Sequence, residues 1–279
     1  MEFLVRDDLA GLRNDDGGFV GVGRCMVCGI HEAKVIRRYG CHVEPMSVFR
    51  DLIRGDGSQR AFQSAKSVEL TIDLLVCIEA HCRPQGEWCG VKESLAALAK
   101  QCTSAGAGTT SSDVLAWFFE DAGFTGNRNR YGASSNSMIS EVLRSRRGIP
   151  ISLCVVVQSV LSDLGFESNL IGLPGHVVLE VGDSAHGGYV DCFNSGRRLS
   201  HDQCVAMAAM AGASIEVEQT LKPMVPALVA LRTLNNLVKA FESESDAVGL
   251  ARAAAMRLAI PLLSPVDVRS TMALLAHTN

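Results

Sequence analysis

The sequence lacks any long apolar run, and it also lacks an excess of basic residues. No apolar stretch approaches the roughly 20 residues that a membrane-spanning helix needs. Lys and Arg number 26 against 30 Asp and Glu, so the net charge is −4. The short basic runs RRYG and RSRR are typical of solvated helix ends. We therefore predict neither a membrane span nor a nucleic-acid-binding face.

The opening residues, MEFLVRDDLAGLRNDD, lack the apolar segment of a secretory signal. Cysteine, by contrast, is abundant, with 10 residues in a chain of 279. Several cysteines lie inside apolar helical patterns such as LLVCIEA and SLCVVVQ, where a free thiol behaves as a small core hydrophobe. This usage favours a reducing, cytoplasmic compartment. The length and the 47% hydrophobic content fit one sizeable domain, alone or with a helical extension.

The chain divides into four segments by pattern. Residues 1–45 are broken by glycines and show no clear periodicity. Residues 46–123 are predicted to be helical, and SVELTIDLLVCIEAHC is apolar on most sides, which indicates a buried helix. Residues 124–215 combine helices with strands. Residues 216–279 predict three further helices, two of which begin near a proline suited to a first helical turn.

The most strongly patterned stretch covers residues 136–193. A helix is predicted over SMISEVLRSRR, with Ser135 or Asn136 as its cap. A second helix begins at Pro150, whose missing N–H is no loss at a first helical position, and it ends at Gly165. Strands are predicted at 166–172, 176–181 and 189–193. The turn GDSAHGG between the last two strands predicts an antiparallel hairpin.

This hairpin places a histidine and a carboxylate on neighbouring strands. His176 begins one strand and Asp191 lies on the next. Paired strands are about 4.8 Å apart, so the two side chains are within reach of a hydrogen bond. An imidazole oriented by a carboxylate is the base of a nucleophile–His–Asp triad. A cysteine nucleophile of such a triad lies at a helix N-terminus, where the helix dipole lowers the thiol pKa.

The run GFTGNRNRY…NSMISEVLRSRRGIPISL…LGF…GLPGHVVLEV…YVDCFNSGRRLS resembles the bacterial SirB-type family, over roughly residues 68–240. The motifs GIPISL and LPGH carry the resemblance. That family has a transglutaminase-like core, which is also found in a eukaryotic F-box protein. The resemblance implies an α+β fold with a papain-like, transglutaminase-like core, a helical N-terminal part and a helical C-terminal extension. The C-terminal helix pairs resemble tetratricopeptide-like units.

The wider transglutaminase pattern has a cysteine at a helix start, then HxWxEV, then an aspartate on the next strand. His176 and Glu180 match the second element, with Val178 in place of tryptophan, and Asp191 matches the third. The resemblance places the nucleophile at or near Pro150, which has no reactive side chain.

Two nucleophiles further along the same helix remain open. Cys154 lies one helical turn beyond Pro150 among aliphatic residues, and we favour core packing because burial raises a thiol pKa. Ser152 is a second candidate nucleophile, although its hydroxyl is equally suited to bonding the first turn of its own helix.

Four residues are candidates for binding rather than catalysis. Asn136 and Tyr131 match polar positions of the family, and we favour capping and loop bracing over binding for both. Pro150 borders the expected groove. Glu180 lies on the same strand face as His176, where it serves either as a polar group of the groove or as a salt-bridge partner.

The N-terminal CMVCGIH offers a weaker, zinc-binding hypothesis. Cys25, Cys28 and Cys41 are three candidate ligands, with His42 as an alternative to Cys41 and His31 as a fourth. The spacing is incomplete for a structural zinc site, so ordinary cysteines are the favoured interpretation.

Two classes of function follow from these residues. The first is a non-catalytic transglutaminase-like domain that binds a protein or peptide partner in the former active-site groove. The alternative is an acyl-transfer or cysteine-peptidase-type enzyme that uses His176 and Asp191 with Cys154 or Ser152. The missing nucleophile favours the first, and the retained His and Asp favour the second. No cofactor is expected, and the oligomeric state is left open.

Overall fold

The computed structural model describes residues 44–55, 65–182, 188–211 and 221–277, with two short strands near the N-terminus. These strands, Leu12–Arg13 (β1) and Phe19–Val20 (β2), pair antiparallel inside a unit formed by Met1–His42. Val43–Asn279 forms a second unit, which holds every element discussed below. Cys25, Cys28 and Cys41, with the zinc hypothesis that concerns them, lie outside the described residues.

The N-terminal part of the second unit is helical. Its helices are Pro45–Gly55 (α1), Ala65–Cys82 (α2), Val91–Ser104 (α3) and Ser111–Ala116 (α4). A π-helical turn, Trp117–Asp121, extends α4. The apolar helix predicted from the sequence is α2, where Leu74 and Ile78 are almost completely buried.

A mixed segment follows, in which helices alternate with strands. Its elements are Thr125–Gly126 (β3), Ile139–Ser145 (α5), Arg147–Gly148 (β4), Pro150–Asp163 (α6), Ser168–Leu173 (β5), His176–Val181 (β6), Gly188–Asp191 (β7), Arg197–Leu199 (β8) and His201–Met210 (α7). Strands β5, β6, β7 and β8 form an antiparallel sheet in that order, while β3 and β4 pair in parallel. The α+β fold and the antiparallel hairpin predicted from the sequence are confirmed.

Helix α6 lies at the centre of the unit because its sequence is apolar on all sides. Every residue from Pro150 to Leu161 is buried, and the helix packs against β5 and β6 as well as α2 and α3. Helix α7 contacts β5 and β7, and it contributes Cys204 and Ala208 to a buried cluster with Ile171 and Val178 of the sheet. The sheet is thus packed against helices that bury the apolar side chains of its central strands.

The start of α5 differs from the prediction. Ser135 and Asn136 lie in a separate 3-10 turn, Ser134–Ser137, and Met138 stands at the N-cap without a side-chain cap. The first turn of α5 is capped from α2 instead. The buried carboxylate of Glu79 accepts hydrogen bonds from the backbone N–H of Ser140, at 3.1 Å, and from its hydroxyl. Because the capping residue lies about 60 positions away in the sequence, the residues around the start of α5 carry no signal for it.

Three helices complete the chain: Pro226–Ser243 (α8), Ala247–Arg257 (α9) and Pro265–His277 (α10). Two of them begin at a proline, as predicted. Helix α8 packs against α2 and α9, and α9 also packs against α2. Within the described part of the chain, no helix is both long enough and apolar enough to cross a membrane.

Candidate functional site

The structure brings His176 and Asp191 together. His176 is the first residue of β6 and Asp191 the last of β7. Nε2 of His176 lies 3.0 Å from Oδ1 of Asp191. The alignment of these two groups falls short of a good hydrogen bond. No hydrogen bond among the described residues engages Nδ1 of His176.

The Asp191 carboxylate is held in place by several further donors. It is 2% exposed. The backbone N–H groups of Phe193 and Asn194 donate to Oδ1 at 3.1 and 3.2 Å, and the Asn194 amide donates to Oδ2 at 2.6 Å. Burial by itself raises the pKa of Asp191, but His176 and Asn194 outweigh that effect and hold the pKa below its ordinary value. Asp191 is therefore an ionised orienting group.

An aromatic side chain covers one side of this pair. Phe193 contacts His176 edge to face, with ring centroids 6.5 Å apart, and Tyr131 in the same manner at 5.6 Å. The guanidinium of Arg128 lies 5.4 Å from the Phe193 ring centroid. Gly126 makes room for this ring, because a Cβ there would lie 2.6 Å from it. The loop before α5 and the turn after β7 thus meet beside His176.

Pro150 occupies the helix start at which the resemblance places the nucleophile. Ile149 before it is extended (φ −99°, ψ 168°), as a residue preceding proline must be. Pro150 borders the same cavity as His176. It carries no group able to attack a substrate, and it has no N–H to contribute to an oxyanion hole.

Ser152 is buried and its hydroxyl is fully used. Oγ donates to the carbonyl of Asn136 at 2.6 Å and accepts from the N–H of Ile149 at 3.1 Å. A Cβ at Gly148 would lie 2.6 Å from this oxygen, so glycine is required there. The motif GIPIS therefore folds as a compact helix start, and the structure does not bring Ser152 to His176.

Cys154 is completely buried between α6 and the sheet. Its thiol donates weakly to the carbonyl of Val177, with Sγ 3.6 Å from the oxygen, and interacts with the thiol of Cys192. Burial, and next the contact with Cys154, raise the pKa of Cys192 well above its ordinary value. No described hydrogen bond joins either thiol to His176. The surroundings of Cys154 are those of a core residue.

The remaining predicted binding residues fall in different places. Asn136 braces the loop before α5: its amide donates to the carbonyls of Arg130 and Tyr131 and accepts from Asn127 at 2.9 Å. Glu180 accepts a 3.0 Å hydrogen bond from Asn169 on β5. Tyr131, half exposed, lies on the wall of the cavity that contains His176.

That cavity has a volume of about 210 Å³, and one of its walls was not anticipated from the sequence. Helix α8 supplies this wall with four polar residues, namely Arg232, Asn235, Asn236 and Lys239. Their spacing, i, i+3, i+4 and i+7, places them on one face of the helix. This polar stripe on an otherwise apolar helix is the signal from which the wall could have been found.

Across the ranges that the structure describes, no three His, Cys, Asp or Glu side chains converge closely enough to hold a metal ion. The seven described cysteines are free thiols.

Comparison with known proteins agrees with this arrangement. A family model described as the transglutaminase-like superfamily matches residues 90–235, from the turn before α3 to the cavity wall on α8. The chain is 27% identical to F-box only protein 21 of Mus musculus over 146 residues, which is 47% of this chain and 23% of that protein.

Bacterial proteins are similar as well. A UPF0162 protein of Xylella fastidiosa strain Temecula1 is 31% identical over 131 residues, 44% of this chain and 46% of the relative. A UPF0162 protein of Vibrio cholerae is 37% identical over 67 residues, or 24% and 25% of the two chains. The chain thus spans less than half the length of each of these relatives. No solved structure matches it significantly.

Proposed function

Because this chain belongs to the transglutaminase-like superfamily, we propose that it is a non-catalytic member that binds a protein or peptide partner beside His176. One observation carries the proposal. Pro150 borders the cavity at the helix start that the family pattern assigns to the nucleophile. The groove keeps the histidine, its orienting carboxylate and polar walls, while the residue that would form a covalent intermediate is replaced.

The surroundings of the other two nucleophiles support the same proposal. A catalytic thiol or hydroxyl must reach both its base and a substrate. The Ser152 hydroxyl is hydrogen-bonded to the Asn136 carbonyl and the Ile149 N–H. The thiol of Cys154 is buried where α6 packs against β6. Moving either to His176 requires unwinding the first turns of α6, whose residues are all buried.

An acyl-transfer or peptidase-type enzyme is the second candidate. It is favoured by the 3.0 Å contact between His176 and Asp191, which suits a base and its orienting group. In that case the nucleophile is Cys154 or Ser152, and catalysis requires a rearranged α6.

Binding is tested with pools of randomised N-acetyl hexapeptides, half with free C-termini and half amidated. Peptides retained by the protein are identified by mass spectrometry. A cavity-blocking variant, Asn236→Trp, should lose the retained peptides, because an indole at that position occupies the space beside His176. Lys100→Gln on the exposed surface of α3 should keep them. If neither pool yields a peptide that Asn236→Trp releases, the proposal is contradicted.

His176→Ala separates the two candidates. If the protein is a binding module, the variant should bind the retained peptides several-fold more weakly, and neither the wild type nor the variant should show hydrolytic or acyl-transfer activity. If His176→Ala instead leaves binding and stability intact and abolishes a measurable hydrolysis, the protein is an enzyme. Labelling by iodoacetamide gives a parallel readout: Cys154 should react only after unfolding.

The same proposal includes membership of the SirB-type family, tetratricopeptide-like C-terminal helices and a cytoplasmic location. The GIPISL and LPGH motifs support a SirB-type assignment, and the packing of α8 against α9 and of α9 against α10 supports tetratricopeptide-like helices that widen a partner surface. Buried free thiols such as Cys77 and Cys204 support work in a reducing cytoplasm.

A further inference from the structure

The wall that α8 contributes to the His176 cavity carries two positive charges, on Arg232 and Lys239, and no acidic side chain lines the cavity. Neither cation forms a salt bridge within the described residues. Burial lowers the pKa of Arg232, yet an arginine with an ordinary pKa above 12 stays charged at neutral pH. A partly buried cation without an anionic partner is costly, and an anionic ligand removes that cost.

Arg232 is held in a fixed position. Its Nη2 donates to the carbonyls of Leu173 and His176, each at 2.9 Å, so the guanidinium clamps the turn between β5 and β6. Gly172 leaves space for it, because a Cβ there would lie 2.7 Å from Nη1. Bracing this turn needs hydrogen-bond donors only. Lys239 is exposed and makes no hydrogen bond or salt bridge among the described residues. Bracing of the turn therefore does not account for two neighbouring positive charges on this wall.

Asn235 adds a requirement of the opposite kind. Its Oδ1 is buried and has no hydrogen-bond partner among the described residues, although the residue lines the cavity. A buried acceptor left without a donor is unfavourable. The cavity therefore suits a ligand that brings a negative charge and an N–H group together. A bare inorganic anion supplies only the first of these.

We propose that this cavity binds the C-terminal carboxylate of a peptide chain. The carboxylate is placed between Arg232 and Lys239, and the N–H of the terminal residue donates to Asn235. At about 210 Å³ the cavity is smaller than ordinary small-molecule pockets of roughly 300–1,000 Å³, so it holds one chain end with a short side chain. The inference rests on the proposed binding function and names its ligand class.

The test compares each retained hexapeptide, resynthesised with a free C-terminus and as its C-terminal amide, by fluorescence anisotropy. We expect the free acid to bind at least tenfold more tightly. Lys239→Gln should reduce that preference to within about threefold. Lys100→Gln removes the same charge from an exposed lysine outside the cavity lining and should leave the preference unchanged.

The outcomes separate this inference from the function beneath it. Equal binding of acid and amide, with both lost in Asn236→Trp, overturns the terminal carboxylate and leaves the binding module standing. Suppose instead that amidated peptides bind through an internal Asp or Glu, so that replacing this residue by Asn or Gln weakens their binding. Arg232 and Lys239 then bind a side-chain carboxylate, and the terminal carboxylate is overturned. If no peptide is retained by the wild-type protein, the proposed function fails first.

Discussion

At the scale of single residues, the helix start GIPIS depends on the absence of one Cβ. Gly148 lies against Ser152 and Leu153, and an added Cβ would be 2.6 Å from Oγ and 3.1 Å from Cγ of these two residues. We expect Gly148→Ala to lower the free energy of unfolding by about 1–3 kcal/mol, as overpacking does. Urea denaturation measures this change. Gly132→Ala is the matched control, because a Cβ there meets no atom within 4 Å.

Asp191 makes a pH-dependent contribution to stability. Its donors hold the folded-state pKa below the ordinary value of 3.8, so the ionised carboxylate stabilises the fold fully above that pH. This contribution is lost as the pH falls through the lower, folded-state pKa. Asp191→Asn should lower the free energy of unfolding by roughly 1–3 kcal/mol between pH 5 and 8. The gap from the wild type should close below about pH 3.8.

The control for this titration is Asp163→Asn. Burial raises the pKa of Asp163, and no described hydrogen bond reaches its carboxylate, so the variant should not lose stability at neutral pH. A gap for Asp191→Asn that persists unchanged at pH 2.5 would show that the carboxylate acts through shape and not through charge.

Single residues also show where sequence reasoning stops. The sequence predicted that His176 and Asp191 lie on neighbouring strands, and the structure places their side chains in contact. The register of β6 and β7 makes them diagonal neighbours rather than facing residues, which the sequence alone did not show. For Asn136 the sequence favoured a cap or a loop brace, which use the same amide, and the structure shows the brace. Only the positions of Arg130 and Tyr131, which the loop sets, distinguish the two roles.

At the scale of elements, α6 presents a proline where the family pattern has its cysteine. We expect Pro150→Cys to create a reactive thiol, because a helix N-terminus and a nearby imidazole both lower a thiol pKa. Iodoacetamide should label residue 150 rapidly below about pH 7, measured by mass spectrometry of that peptide. Adding His176→Ala to this variant should slow the labelling several-fold.

Ala247→Cys is the comparison for that experiment, because it places a thiol at the exposed first position of α9, with no described contact to a histidine. Only the helix N-terminus lowers the pKa of this thiol, so its labelling should begin at a higher pH than that of residue 150. Equal reactivity at positions 150 and 247, or labelling of residue 150 that ignores His176, would mean that Pro150 does not mark the lost nucleophile position.

The individual helices and strands were more predictable than the cavity wall. Helical periodicity predicted α2, α6 and α8, and the turn sequence predicted the β6–β7 hairpin, because both signals are local. The strand predicted at 189–193 ends early, because Asp191 accepts from Phe193 and Asn194 and so turns the chain into the 3-10 turn Cys192–Asn194. The cavity wall on α8 depends on packing between distant segments, which periodicity cannot supply.

At the scale of the whole molecule, α8 joins the C-terminal helices to the site. It lines the cavity with its polar stripe and packs against α2 and α9 through its apolar face. Val43–Asn279 is accordingly one compact unit. A tetratricopeptide-like appendage of independent stability would leave the cavity without one of its walls whenever it detached.

This arrangement predicts that the C-terminal helices and the central sheet unfold together. Phe241 of α8 is completely buried, with Arg83, the residue that follows α2, over its ring and Gly249 of α9 against it. Phe241→Ala should cost about 3–5 kcal/mol. Because the unit is cooperative, tryptophan fluorescence, dominated by Trp88 and the buried Trp117, and far-ultraviolet circular dichroism should shift to the same lower urea midpoint. The exposed Val248→Ala should change neither. If circular dichroism shows an early partial loss of helix while the fluorescence midpoint stays at its wild-type value, then α8, α9 and α10 form a separable extension and the cavity beside His176 opens when they detach.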